Sequence, residues 1–125
     1  MTVYLIVFLG AGLGGALRHG INQLVAHLVA TDFPLATLLI NVSGSFAMGL
    51  LAGWLAFRGD APQHWRLFLA TGVLGGYTTF SAFSLDAVLL WERGSWGAAA
   101  FYVAGSVAFS IAGLVAGLWL ARNWA

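Results

Sequence analysis

Thr71-Gly72-Val73-Leu74-Gly75-Gly76-Tyr77-Thr78-Thr79-Phe80-Ser81 lies in the middle of an apolar run from about Trp65 to Trp91. That run is long enough to cross a bilayer, which takes roughly 20 apolar residues. The stretch itself is a poor continuous helix, because paired glycines and two successive threonines both lower helix propensity. It reads as a transmembrane helix broken near its middle, with backbone carbonyls and amides released at the break. Irregular backbone at that depth is tolerated only inside protein or against a cavity or ion. Discontinuous helices of this kind commonly hold ions, carbonyls facing cations and helix N-termini facing anions. Close packing of neighbouring helices across a smooth glycine surface is the competing account of the same residues.

Composition extends the membrane reading to the whole chain. Hydrophobic residues make up 61% of the sequence and charged residues only 7%, with a mean hydropathy of +0.91. A soluble domain keeps about a quarter of its residues charged, so too little polar material is present here to coat one. The fold class is therefore all-α integral membrane, one domain over residues 1–125 with spans at roughly 3–29, 36–57, 65–91 and 96–121. Met1–Gly15 lacks the basic flank of a signal peptide and reads as part of a retained first helix. That helix is expected to run on, amphipathically, to about Thr31-Asp32, before Phe33-Pro34 turns the chain into the second span. Arg58-Gly59-Asp60-Ala61-Pro62 and Glu92-Arg93-Gly94-Ser95 form the remaining loops. Trp54, Trp65, Trp91, Trp96, Trp119 and Trp124 all fall near span ends, where indole favours the headgroup level.

Several functions are excluded or disfavoured at this stage. A net charge of +1 offers nothing to nucleic acid, and the absence of cysteine removes disulfides, thiol catalysis and cysteine-bound metals. His19, His27 and His64 are scattered, so they read as wet interfacial side chains and not as metal ligands. No nucleophile–base pair or phosphate loop suggests an enzyme. Four spans put both termini on one side, with Arg58, Arg66 and Arg122 there against Arg93 and Arg18 opposite. So slight a bias is a poor orientation signal, and it leaves open insertion both ways up.

Polar groups inside spans are expensive without partners or water, and so mark places of interest. Thr37, Asn41 and Ser45 recur every four residues on one face of the second span. Asn41 serves either as interhelical glue or as a donor to an ion. Tyr102, Ser106 and Ser110 make a hydroxyl stripe on the fourth span, ending at Leu114; back-bonding to the helix is the plain account and a ladder of donors the functional one. Phe80 and Phe83 share one side after the break, with Asp86 a turn further on. Aromatic ring edges can face an anion without the full charge that would trap it. The pairs Gly10 with Gly14, Gly49 with Gly53 and Gly113 with Gly117 suit close helix approach. Hydrogen-bond donors, ring edges and almost no intramembrane charge fit a compact anion better than a bulky cation.

Three segments carry a resemblance: Gly15-Ala16-Leu17-Arg18, Phe33 through Gly44 (FPLATLLINVSG), and Gly75 through Ser84 (GGYTTFSAFS). In their order and spacing, across essentially the whole chain, they are similar to the Fluc (CrcB) fluoride channels. The resemblance implies a passive, selective fluoride channel in the bacterial inner membrane, built as an antiparallel, dual-topology homodimer with pores along the subunit interface. It implies a fluoride pathway of Asn41, Phe80, Phe83, Thr37, Thr79, Tyr102, Ser106 and Ser110, with Arg18 and Asp86 at a vestibule. It also implies a structural Na⁺ at the dimer interface, held by backbone carbonyls of Gly75 and Thr78 from both subunits. Ala36, Ala82 and Asp86 stand where the family usually has Gly, a small hydroxyl residue and Glu. A proton-coupled small multidrug exporter shares the size and span count, and of this chain's intramembrane residues only Asp86 offers the carboxylate that such a mechanism needs.

Overall fold

The structure, a computed structural model, describes residues 1–59 and 61–124. Asp60 and the Arg58 side chain, both assigned above to the loop after the second span, lie outside the described residues. Every regular element described is helical: α1 (Thr2–Leu28), α2 (Leu35–Arg58), α3 (63–77), α4 (Phe80–Glu92) and α5 (Trp96–Trp124). Taken with α3 and α4 as one interrupted span, Gln63–Glu92, four helices are long and apolar enough to cross a membrane.

α1 stops earlier than expected. Val29 is already extended, with φ −130° and ψ 120°, although its N–H still bonds Val25 O. Two local effects close the helix before Thr31-Asp32. The Thr31 hydroxyl accepts the Phe33 N–H at 3.1 Å, a side-chain turn that competes with helix, and Pro34 bars helical backbone at Phe33. Pro34 then stands at the N-cap of α2 and its carbonyl takes the Leu38 N–H at 3.3 Å.

The middle of α3 departs from α geometry. Leu67–Leu74 is π-helical, and the Gly75 N–H reaches back five residues to Ala70 O. Short α-helical turns flank it, Gln63–Arg66 before and Gly75–Tyr77 after. The span breaks at Thr78 (φ −81°, ψ 158°) and Thr79 (φ −153°, ψ 122°), two extended residues. Thr79 then caps α4, its hydroxyl accepting the Ala82 N–H at 3.1 Å. At the far end Gly94, with φ 79°, lets the chain turn so that Ser95 N–H bonds Leu90 O at 3.0 Å.

Two glycine seams organise the packing. A Cβ at Gly10 would sit 2.6 Å from Phe68 O, and one at Gly14 would run into the Val73 carbonyl, so α1 lies directly against α3. On the other side, a Cβ at Gly49 would strike Leu114 O and one at Gly117 would strike Phe46 O, so α2 lies directly against α5. The glycines of the third span serve this packing too: Gly72 faces Gly10 and Gly76 faces Ala11. The two helix pairs meet each other far less extensively than each packs within itself. Little of the apolar surface is covered within one chain. Ile40, Leu90, Ala99 and Tyr102 are buried, while Phe8, Leu13, Phe80, Phe101, Phe109 and Ile111 are each more than half exposed, as suits a surface facing lipid or another helix.

Candidate functional site

The break is held by Asn41. Its amide nitrogen donates to Thr79 O at 3.0 Å, and its amide oxygen accepts the Thr79 N–H at 2.9 Å. A side chain on α2 thus supplies both partners that Thr79 forfeits by leaving the helix, and buried backbone groups need such partners. Gly44, one turn further along α2, makes room for the Thr78 methyl, which a Cβ there would overlap. An amide nitrogen carries two N–H groups, so the clamp leaves one of Asn41's uncommitted.

Beside this clamp runs a groove of about 330 Å³, lined by residues of α2, the break, α4 and α5. Asn41, Thr79, Phe80, Phe83, Ser106 and Ser110 all border it, joined by Ser45 and Thr78, with Val107 and Ile111 as apolar wall. Among the described residues, no ionisable side chain lines it. The Phe80 and Phe83 rings are tilted at 45° with centroids 5.5 Å apart, and Phe80 remains 78% exposed on the open flank. Ser106 is 5% exposed, yet its Oγ has no hydrogen-bond partner. An orphaned buried hydroxyl costs about 1–3 kcal/mol, which makes it a donor in want of an acceptor.

Tyr102 and Thr37 lie at one end of the expected pathway and not along the groove. Tyr102 is fully buried, its ring 5.2 Å from Phe83, and its hydroxyl donates to Asp86 Oδ2 at 3.1 Å. Buried Thr37 lies beside the same phenol. Asp86, expected near the interface, is therefore part-buried and engaged. Two further cavities open here. One of about 280 Å³ is lined by Gly15, Arg18, His19, Asn22, Thr37, Ile40, Thr79 and Ala82. The other, of about 240 Å³, has Asp86 in its wall and shares Asn22 and Thr37 with the first. Thr79 borders both the Arg18 cavity and the groove. His19, set aside in the sequence as a wet interfacial residue, belongs to the same cavity as Arg18.

The residues expected to hold a cation can be tested on the backbone. The amide that would have closed a helical turn on Gly75 O belongs to Thr79, and it donates to Asn41 instead. The amide that would have closed on Thr78 O belongs to Ala82, and it donates to Thr79 Oγ1. Both carbonyls are thus released from helical bonding, and Gly75 is on the exposed face. Oxygen donors of this kind suit a hard cation, so the residues fit. Among the described residues, no cluster of three His, Cys, Asp or Glu offers another metal site.

Comparison with known proteins places the chain among its relatives. The family model for "CrcB-like protein, Camphor Resistance (CrcB)" matches residues 5–118. A protein of Nitrobacter hamburgensis named fluoride-specific ion channel FluC 2 is 62% identical over 120 residues, covering 96% of this chain and 97% of that one. A Rhodopseudomonas palustris protein named fluoride-specific ion channel FluC is 64% identical over 119 residues, covering 95% and 96% respectively. One of the same name from Granulibacter bethesdensis is 52% identical over 123 residues, covering 98% and 97%.

Proposed function

This chain belongs to the CrcB-like family, and from that premise we propose that it is a fluoride channel, passive and selective, in a bacterial membrane. It is a multi-pass membrane protein and a channel, not an enzyme. The observation that carries the reading is the neutral groove that brings an unpartnered donor, Ser106 Oγ, together with Asn41 and the Phe80–Phe83 ring pair.

The chemistry follows from what a small halide loses on entering a membrane. A strongly hydrated anion crosses only where protein donors replace its water, and it leaves only if they do not bind it too well. Ser106, Ser110 and the second Asn41 N–H are neutral donors. The edges of Phe80 and Phe83 add a partial positive potential without a full charge. Arg18, placed in the neighbouring cavity, draws anions toward the entrance. Thr79 borders both spaces, Thr37 lines the entrance cavity, and Asp86, bonded by Tyr102, lines the cavity next to it.

The finer architecture is part of the same proposal. A second copy in the opposite orientation would cover the open flank where Phe80 is exposed and would complete the corridor. The slight arginine asymmetry is compatible with insertion both ways up. Gly75 and Thr78 carbonyls from two copies would hold Na⁺ between them, satisfying the released oxygens and raising the potential beside the anion path. The membrane is the inner membrane of the cell.

The deciding experiment is efflux from proteoliposomes read with a fluoride electrode. Purified protein should dissipate a fluoride gradient, with little chloride flux and no need for a proton gradient. A folded, reconstituted protein that passes no fluoride would overturn the reading.

A further inference from the structure

We infer that Phe33, in the turn between α1 and α2, is a positioning residue for the aromatic wall of the ion path, acting through Tyr102 on Phe83; the role rests on the fluoride-channel reading. Phe33 lines the cavity of about 240 Å³ and not the groove. Its ring meets Tyr102 edge-on, with centroids 5.5 Å apart and an interplanar angle of 89°. Tyr102 lies 5.2 Å from Phe83 at 40°, and Phe83 lies 5.5 Å from Phe80 at 45°. All three spacings fall where aromatic pairs attract. The rings of Phe33, Tyr102, Phe83 and Phe80 therefore form one unbroken series from the turn to the groove.

That series has a loose end and a fixed end. Phe80 is 78% exposed, whereas Tyr102 is fully buried and hydrogen-bonded to Asp86 Oδ2 at 3.1 Å. That bond alone does not orient the ring. The phenol oxygen lies on the axis about which a tyrosine ring turns, so a bond to it fixes where the ring points and leaves its tilt free. Neighbouring rings set the tilt, and Phe33 and Phe83 are the two that meet it. Phe33 stands on constrained backbone. Its N–H donates to Thr31 Oγ1 at 3.1 Å, its carbonyl accepts the Leu35 N–H at 2.7 Å, and Pro34 bars it from helical geometry. Phe33 is thus the stop that sets Tyr102's tilt, and Phe83 packs against Tyr102 in turn.

The groove is sensitive to such tilts because a ring changes sign with direction. Its edge is positive and its face negative, so a Phe83 ring that turns its face toward the groove repels the anion that its edge attracts. Close packing passes the disturbance along, since a well-filled interior has little free space in which to absorb it. Phe33→Leu keeps apolar bulk and removes the stop. Phe33→Tyr keeps the ring and so keeps the stop.

The test is fluoride efflux from proteoliposomes, expressed per folded protein, in a mutant cycle. Phe33→Leu should slow efflux about three- to tenfold, the worth of one lost aromatic contact, and Phe33→Tyr should run near the wild-type rate. On a Phe83→Ile background, Phe33→Leu should cost nothing further, because the ring it acts on is gone. A second readout is independent of flux: para-fluorophenylalanine placed at position 83 should shift its fluorine resonance in Phe33→Leu, while the same label at exposed Phe8 should not move. If Phe33→Leu does not fold, Phe33→Met carries the same comparisons. Wild-type flux in Phe33→Leu, an equal loss on the Phe83→Ile background, or an unmoved label at position 83 overturns the inference and leaves the channel intact. Wild-type protein that passes no fluoride defeats the channel reading beneath it.

Discussion

Ser106 and Asn41 border one groove in opposite hydrogen-bonding states, and the contrast makes them separable by experiment. Ser106 Oγ has nothing to bond. Ser106→Ala should therefore leave the melting temperature unchanged or raise it, by up to about 1 kcal/mol of stability. The same change should slow fluoride efflux several-fold, which efflux and thermal unfolding measured on one preparation would check. Asn41 has its amide oxygen and one of its two N–H groups engaged by Thr79. Asn41→Asp puts an acceptor against the Thr79 carbonyl and a negative charge beside an anion path, so flux should fall by at least about tenfold and stability should fall with it. Phe80→Ile and Phe83→Ile keep apolar bulk and remove ring edges; conduction should drop with the fold intact, by circular dichroism and efflux. Of these residues the sequence showed identity and face but not engagement. Periodicity put Tyr102, Ser106 and Ser110 in one stripe, yet it could not show that Tyr102's hydroxyl is spent on Asp86 while Ser106's is spent on nothing. Such pairing depends on side chains 16 positions apart, and no local pattern encodes it.

At the level of elements, hydropathy was a sufficient guide because lipid imposes one simple demand on every span. The four spans and the broken third helix were legible in Gly, Thr and apolar residues alone. What stayed hidden was backbone detail. The π-helical segment Leu67–Leu74 uses the same donors and the same apolar side chains as an α-helix, so composition cannot announce it. The end of α1 at Leu28 was hidden in the Thr31 side-chain turn. The glycines of the third span turn out to answer both accounts offered for them, Gly72 and Gly76 as packing surface and Gly75 with Thr78 as released carbonyls. Close approach predicts a sharp division among glycine substitutions. Gly49→Ala places a methyl against the Leu114 carbonyl and should cost about 1–3 kcal/mol. Gly12→Ala meets nothing within 4 Å and should be neutral or stabilising by about 0.5–1 kcal/mol. Thermal unfolding in detergent would compare them.

For the molecule as a whole, the sodium proposal makes its own prediction. Protein purified and reconstituted without Na⁺, with a bulky organic cation in its place, should conduct less fluoride, and added Na⁺ should restore it. Flux indifferent to the cation would remove the ion from the scheme. The packing adds a mechanical corollary. α1 with α3 and α2 with α5 are each seamed tightly at glycine, while the contact between the pairs is sparse and is pinned at Asn41–Thr79. The molecule is therefore stiff within each pair and compliant between them. Its groove lies between the α2–α5 pair and the break with α4, so a small shift of the break and α4 against that pair would alter the bore while leaving both seams closed. Anything that squeezes the protein sideways, bilayer tension above all, would act first on the width of that groove.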